Sequence, residues 1–299
     1  MANLKILKMR IASVKSTQKI TKAMKMVAAS KLRRARERAE EAAPYAERME
    51  RMLCTLAASV VDPAAAPALL VGNGNDDTHL LVAIGSDRGL CGGLNTALVK
   101  QLKLKTDSLV AQGKKVKIIT VGKKAYEQLV RGYKEYIIER VDGLSGAKVI
   151  GFDEVEDVAK KIISLYAAGG FDVCTLYYNT FKSALEQIPT AQQLIPLELP
   201  AVSEGDAPKS AANAVYDYEP GEKEILEALL PQNIAIQLLH SLLENSASEH
   251  GARMTAMDNA TRNAGDMIKR LTLVYNRTRQ AAITTELTEI ISGAESLNG

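Results

Sequence analysis

Apolar residues recur at helical spacing near the start of the chain. Leu7, Ile11 and Val14 fall at i, i+4 and i+7, and Ile20, Met24 and Val27 repeat that step. From Asn3 to about Val60 there is no glycine and a single proline, Pro44, among Ala, Lys, Arg, Glu, Met and Leu. That composition predicts one long helix over residues 1–60. Its apolar stripe is too narrow for a broad core face and calls for a partner helix. Asp62-Pro63 and the stretch PAAAPALLVGNGNDD then break the pattern, so 61–77 reads as a connection.

Between 78 and 200 the rhythm changes. HLLVAI from His79, KVKIITV from Lys115, EYIIER from Glu135 and DVCTLYYN from Asp172 read as buried strands. Amphipathic segments separate them, from about Gly93 to Gln112, Lys123 to Val130 and Asp153 to Ala168, and this alternation predicts a mostly parallel sheet in an α/β domain. A last strand, AQQLIPLEL from Ala191, belongs at an edge because Pro189 and Pro196 flank or interrupt it.

Residues 201–220 form a polar connection, and a helical pattern occupies 221–299 with no proline after Pro231. A helix of ~60 residues is roughly 90 Å long, whereas an α/β domain of this size is ~35 Å across. Such a helix projects beyond its own domain and needs cover. Met254, Met257, Thr261, Ala264, Ile268, Leu271, Tyr275, Thr278, Ala282 and Thr285 alternate steps of three and four, a coiled-coil seam that weakens toward its end. The economical solution is an α/β fold in which the first and last helices form a long antiparallel coiled coil and a Rossmann-like α/β domain is inserted between them.

Charge sharpens this picture. The net charge is +3, with 46% apolar and 24% charged residues, an ordinary balance. Yet nothing acidic precedes Glu37, while Lys5, Lys8, Arg10, Lys15, Lys19, Lys22, Lys25, Lys31, Arg33, Arg34 and Arg36 crowd the first helix. A solvated face is the usual meaning of such a run; an acidic protein surface is the sharper one. Nucleic acid fits less well, since no aromatic residue precedes Tyr45 and no helix-turn-helix or zinc-finger pattern accompanies the charge. No apolar run approaches the ~18 residues of a membrane span, and the N-terminus lacks the hydrophobic segment of a secretory signal, which predicts a chain that stays where it is made. Cys54, Cys91 and Cys174 form no C-x-x-C pair, so neither a disulfide framework nor a metal site is expected.

Two segments invite chemistry. GSDRGLCGGLN, Gly85 to Asn95, follows the first strand and precedes a helix, where a phosphate loop would sit. Its spacing matches neither G-x-G-x-x-G nor G-x-x-x-x-G-K-[ST], which favours a structural loop and no nucleotide cofactor. Cys91 as a nucleophile lacks a partner, because His79, His240 and His250 have no recognisable spacing to it. At the other end, YNRTRQAAITTELTEIISGAESLNG reads either as a frayed amphipathic end or as a buried tip.

RIASVKSTQKITKAMKMVAASKLRRA, GSDRGLCGGLN and LVYNRTRQAAITTELTEIISGA, in this order and spacing, closely resemble the signature segments of the gamma subunit of F-type ATP synthases. The resemblance spans essentially the whole chain. It implies a non-catalytic rotor shaft whose helix pair penetrates a ring of three alpha and three beta subunits, with the epsilon subunit and the membrane c-ring as further partners. The cationic face would then turn past acidic loops of the beta subunits. By the same resemblance, Met24 and Lys25 match the coupling segment of the first helix, and Arg279, Gln280, Thr284 and Glu286 match the ring-contacting segment of the last. Ile290 and Ile291 would lie near the tip in an apolar sleeve. Arg88 and Cys91 fall in a loop facing the ring's lower rim, and Tyr216, Tyr218 and Glu219 in the foot that meets epsilon and the c-ring. The paired-cysteine insertion of the chloroplast form is missing, which implies a bacterial chain, peripheral on the cytoplasmic side of the inner membrane; a processed mitochondrial chain on the matrix side is the alternative. A cationic coiled-coil scaffold or nucleic-acid adaptor is the rival function, and an enzyme built on the GLCGG loop ranks third.

Overall fold

The computed structural model describes residues 4–59, 67–144, 150–197 and 222–298. Helix α1 covers Leu4–Ser59, passing through Pro44, and the short α2 covers Ala68–Val71, a helical turn inside the stretch expected to be connection alone. A five-stranded sheet follows, β1 Thr78–Ile84, β2 Lys115–Val121, β3 Ile137–Val141, β4 Val173–Phe181 and β5 Gln187–Ile195. Its crossovers are α3 Leu94–Ala111, α4 Lys123–Tyr133 and α5 Phe152–Ala167. Helix α6 runs unbroken over Glu222–Asn298. The chain divides into two compact units, Met1–Ala29 with Arg253–Gly299, and Ser30–Ala252.

The first unit is the expected antiparallel helix pair. Along α1 the sheltered positions are Leu4, Leu7, Ile11, Val14, Gln18, Thr21, Lys25 and Ala28, which alternate steps of three and four. Along α6 they include Met254, Met257, Thr261, Ala264, Ile268, Leu271, Tyr275, Thr278 and Ala282, the heptad read from the sequence. Lys25 contacts Asp258, Thr21 contacts Thr261, and Gln18 approaches Gly265, so one helix ascends as the other descends. At this register Leu4 comes opposite about Thr278, and the residues beyond Ala282 outrun the described part of α1. That is why the seam stops there and why Thr285 is exposed.

The stripe of α1 departs from expectation after Val14. Ile20 and Val27 are each 57% exposed, and Met24 is half-buried beside the seam. Hydrophobicity alone favoured Ile20, Met24 and Val27, but the 3.5-residue repeat begun by Leu7, Ile11 and Val14 continues through Gln18, Thr21 and Lys25. Register outranks side-chain polarity in this segment.

In the second unit the strand order is β3-β2-β1-β4-β5, parallel except for β5, which pairs antiparallel with β4. Parallel neighbours need crossovers, and helices cover both faces of the sheet. On one face Leu98, Leu102 and Leu109 of α3 and Leu129 of α4 pack on Leu81, Ala83 and Ile118. On the other, Val155, Val158 and Ile162 of α5 and Ile234, Leu238 and Leu242 of α6 pack on Leu80, Val82 and Leu176. The opening of α6 is therefore a core element of the α/β unit. β5 lies at the edge as expected, but runs earlier than its predicted span, with Pro189 inside it opposite Asn179. β3 begins at Ile137 rather than Glu135, since Lys134–Tyr136 form a 3-10 turn.

Candidate functional site

Two arrangements stand out, one in each unit. In the helix pair a polar layer interrupts the apolar seam. Thr261 Oγ1 donates to Thr21 Oγ1 at 2.8 Å, Gln18 Nε2 reaches the Thr261 carbonyl at 3.4 Å, and Lys25 Nζ lies 2.6 Å from Asp258 Oδ1. Arg262 holds the other Asp258 oxygen at 2.9 Å. The Lys25 hydrogen bond, more than any other influence, holds the Asp258 carboxyl below its ordinary range. A buried Thr in the seam and a charged pair reaching from the seam to its flank fix register and direction more than they add stability.

The predicted ring-contact residues line up along this unit. Met24 is half-buried, and Arg279, Gln280, Thr284 and Glu286 are exposed, the last two where α6 has outrun its partner. Thr284 Oγ1 donates back to the Gln280 carbonyl at 3.0 Å. Ile283, Leu287, Ile290 and Ile291 are exposed as well, Ile290 at 69%, an apolar stripe without cover from the described chain. Tyr216, Tyr218 and Glu219 lie outside the described residues.

In the α/β unit the Gly85–Asn95 loop sits at the C-terminal end of β1, where the strand order reverses toward β4. Open doubly wound sheets bind ligands in that crevice. Here the protein's own last helix fills it. Asn245 Nδ2 donates to the Gly85 carbonyl at 3.3 Å, Asn179 Nδ2 donates to Asn245 Oδ1 at 3.0 Å, and Ser248 Oγ donates to the Asn179 carbonyl at 2.8 Å. Glu244 accepts from the Phe181 backbone N–H at 2.8 Å, and Ala252 packs on Cys91 and Leu94.

Two backbone amides at the start of this loop are engaged within the fold. Ser86 N–H donates to Asn95 Oδ1 at 3.0 Å and Gly85 N–H to the Val121 carbonyl at 2.8 Å. Gly85 has no room for a side chain, because a Cβ there would stand 2.7 Å from the Ala125 methyl. Cys91 is buried, with Asn95 Nδ2 donating toward its sulfur at 3.3 Å and Ser86 Oγ 3.8 Å away. The thiol packs with Leu94 and Ala252, and Arg88 on the same loop is exposed. Cys174, buried in the core, has its thiol pushed well above the ordinary range by desolvation. Among the described residues no group of three or more His, Cys, Asp or Glu side chains is placed to hold a metal, and no helix is long and apolar enough to cross a membrane.

Sequence reasoning missed the Asn179–Asn245 relay and the Thr21–Thr261 layer. The available signal was polar residues falling at core-facing helical positions. Asn245 and Ser248 continue the face set by Leu238 and Leu242, and Gln18 and Thr21 continue that of Leu7, Ile11 and Val14.

Comparison with known proteins decides the family. The ATP synthase family model matches residues 3–297. The ATP synthase gamma chain of Rhizobium leguminosarum bv. trifolii is 58% identical over 297 residues, covering 99% of this chain and 100% of that protein. This chain belongs to the ATP synthase gamma chain family. Gamma chains of Dinoroseobacter shibae and Rhodopseudomonas palustris, 57% and 55% identical, are matched over the same shares. Among solved structures, a chain of the Tetrahymena thermophila mitochondrial ATP synthase central stalk and c-ring is 25% identical with a TM-score of 0.58, covering 81% of this chain and 99% of that one. A chain of the Euglena gracilis mitochondrial ATP synthase shares the fold, with a TM-score of 0.69 at 20% identity over 98% of this chain and 94% of that one.

Proposed function

We propose that this gamma chain is the central rotor shaft of an F-type ATP synthase. It couples proton flow through the membrane sector to ATP synthesis and hydrolysis at a ring of alpha and beta subunits, and itself performs no catalysis. The observation that carries this reading is full-length similarity to bacterial gamma chains, joined to a helix pair whose last helix runs on alone past Ala282. A helix end with an exposed stripe of Ile283, Leu287, Ile290 and Ile291 suits an apolar bearing inside such a ring.

On this reading residues 1–60 and 221–299 serve as shaft, 61–77 as linker, 78–200 as the α/β domain and 201–220 as connection and foot. Met24 and Lys25, with Arg279, Gln280, Thr284 and Glu286, contact the ring, and Ile290 and Ile291 occupy its sleeve. The loop bearing Arg88 and Cys91 faces the lower rim, where exposed Arg88 rather than buried Cys91 makes the contact. Tyr216, Tyr218 and Glu219 meet epsilon and the c-ring. The cation-rich face of α1 suits acidic loops on the beta subunits. The assembly places the chain peripherally at the cytoplasmic face of the bacterial inner membrane.

The test is to tag the chain at its C-terminus, recover it from detergent-solubilised membranes of its source, and measure the mass, subunit ratio and ATPase activity of what accompanies it. One copy per three-plus-three nucleotide-binding subunits, with activity, is the expected result. Recovery alone, or with nucleic acid released steeply by salt, would overturn the reading.

A further inference from the structure

The crevice at the sheet's reversal point is filled in a way that packing alone does not require. Ser241, Asn245, Ser248 and Ala252 form one stripe of α6, directly after Ile234, Leu238 and Leu242 have packed on the sheet as an ordinary apolar face. Leu or Met at these positions would fill the space without polar atoms to satisfy. Instead Asn245, Ser248 and Asn179 are almost completely buried, and Asn179 Oδ1 is buried without a hydrogen-bond partner. Buried polar groups are costly unless bonded; the bonds here offset that cost except at Asn179 Oδ1, so they add little net stability over an apolar filling.

What hydrogen bonds add is direction. Apolar contacts resist separation of a helix from its groove but are non-directional, whereas a donor must point at its acceptor. Asn245 is bonded at both ends of its carboxamide, to the loop after β1 and to β4, and Glu244 takes the backbone N–H of Phe181 at the end of β4. A roll of α6 about its own axis would break these bonds together. We propose that Asn245 and Asn179, with Ser248, are positioning residues that key α6 rotationally to the α/β unit, so that torque entering this unit is passed to the helix without slip. The proposal rests on the rotor-shaft reading and names which contacts make that shaft stiff.

The experiment uses the whole complex in membrane vesicles, with Asn245→Leu and Asn179→Leu singly and together. ATP hydrolysis and ATP-driven proton pumping are measured side by side. The key predicts that hydrolysis stays within about twofold while protons pumped per ATP fall about threefold or more, and that the double variant is little worse than the poorer single, since both act through one relay. Each single leucine leaves the other asparagine with an unpaired buried group, whereas the double removes donor and acceptor together, so the double should withstand heat better than the poorer single while coupling stays lost, a combination that a merely structural role would not give. If the leucine variants do not assemble, Ser248→Ala carries the test through a smaller drop, to about half the pumping per ATP. Assembled variants with unchanged pumping per ATP, or with hydrolysis and pumping reduced in equal proportion, overturn the key and leave the rotor reading intact. Failure of the parent chain to accompany a nucleotide-binding ring would sink the rotor reading itself.

Discussion

Lys25 reaches Asp258 across the helix pair, Nζ to Oδ1 at 2.6 Å, from a seam position where a coiled coil usually places an apolar side chain, with Asp258 beside the α6 seam next to Met257. Both groups remain partly open to solvent, so the pair is a register device more than a source of stability. Asp258 has a carboxyl pKa lowered first by the Lys25 hydrogen bond. A depressed carboxylate stabilises the folded state above its unfolded pKa of ~3.9, and that contribution disappears as pH falls through the folded value. Asp258→Asn should therefore lower the Tm of the chain by about two degrees or less at pH 7 and by nothing at the acid end. Thermal melts of both proteins across pH check the convergence.

Thr21 and Thr261 share a bond inside the seam. Thr261→Val leaves the buried Thr21 hydroxyl without this partner, and should cost about 1 kcal/mol; the double change Thr21→Val/Thr261→Val should recover most of it, because both polar groups then leave together. Denaturant melts of the two singles and the double measure the coupling. Additive losses would contradict a shared bond.

Gly85 is held against α4. Gly85→Ala puts a methyl 2.7 Å from that of Ala125 and should destabilise the α/β unit by about 1–3 kcal/mol. Ala125→Gly in the same chain relieves the clash, so partial recovery of Tm in the double variant is expected.

The end of α6 is predicted to matter for function and not for folding. Residues 283–294 are exposed throughout, so a chain ending at Ala282 should melt within about a degree of the full one. In the assembled complex the same truncation should weaken coupling. A fall in Tm of several degrees would mean that the tip packs on its own chain.

Met24 stands beside the Lys25–Asp258 pair. Met24→Lys adds a cation next to one already neutralised, and is expected to reduce proton pumping more than ATP hydrolysis in membrane vesicles. Equal reduction of the two would remove Met24 from the coupling surface.

Much of this architecture is legible in the sequence because it rests on periodicity. The α6 seam from Met254 to Ala282 is a strict heptad, and the runs after His79, Lys115 and Asp172 alternate with helical patterns as crossovers require. The failures share one cause. Where Gln18, Thr21 and Lys25 occupy the seam, and where Asn245 and Ser248 occupy the core face of α6, tertiary register placed polar residues where hydrophobicity pointed elsewhere. Ile20 and Val27 misled for the complementary reason, being apolar and exposed. The glycine-rich loop was legible as the connection from β1 into α3. That α6 itself fills the crevice beside it was not, because Asn245 and Gly85 are distant in sequence and meet only through the sheet's topology.

A rotor shaft must turn inside its ring. The most direct measurement fixes the ring of an assembled complex to a surface, attaches a probe to the α/β unit of this chain, and watches it while ATP is hydrolysed. A rotor shaft gives stepwise rotation in one direction with threefold symmetry, stopped by any cross-link between α6 and the ring. Sustained hydrolysis with a motionless probe would contradict it.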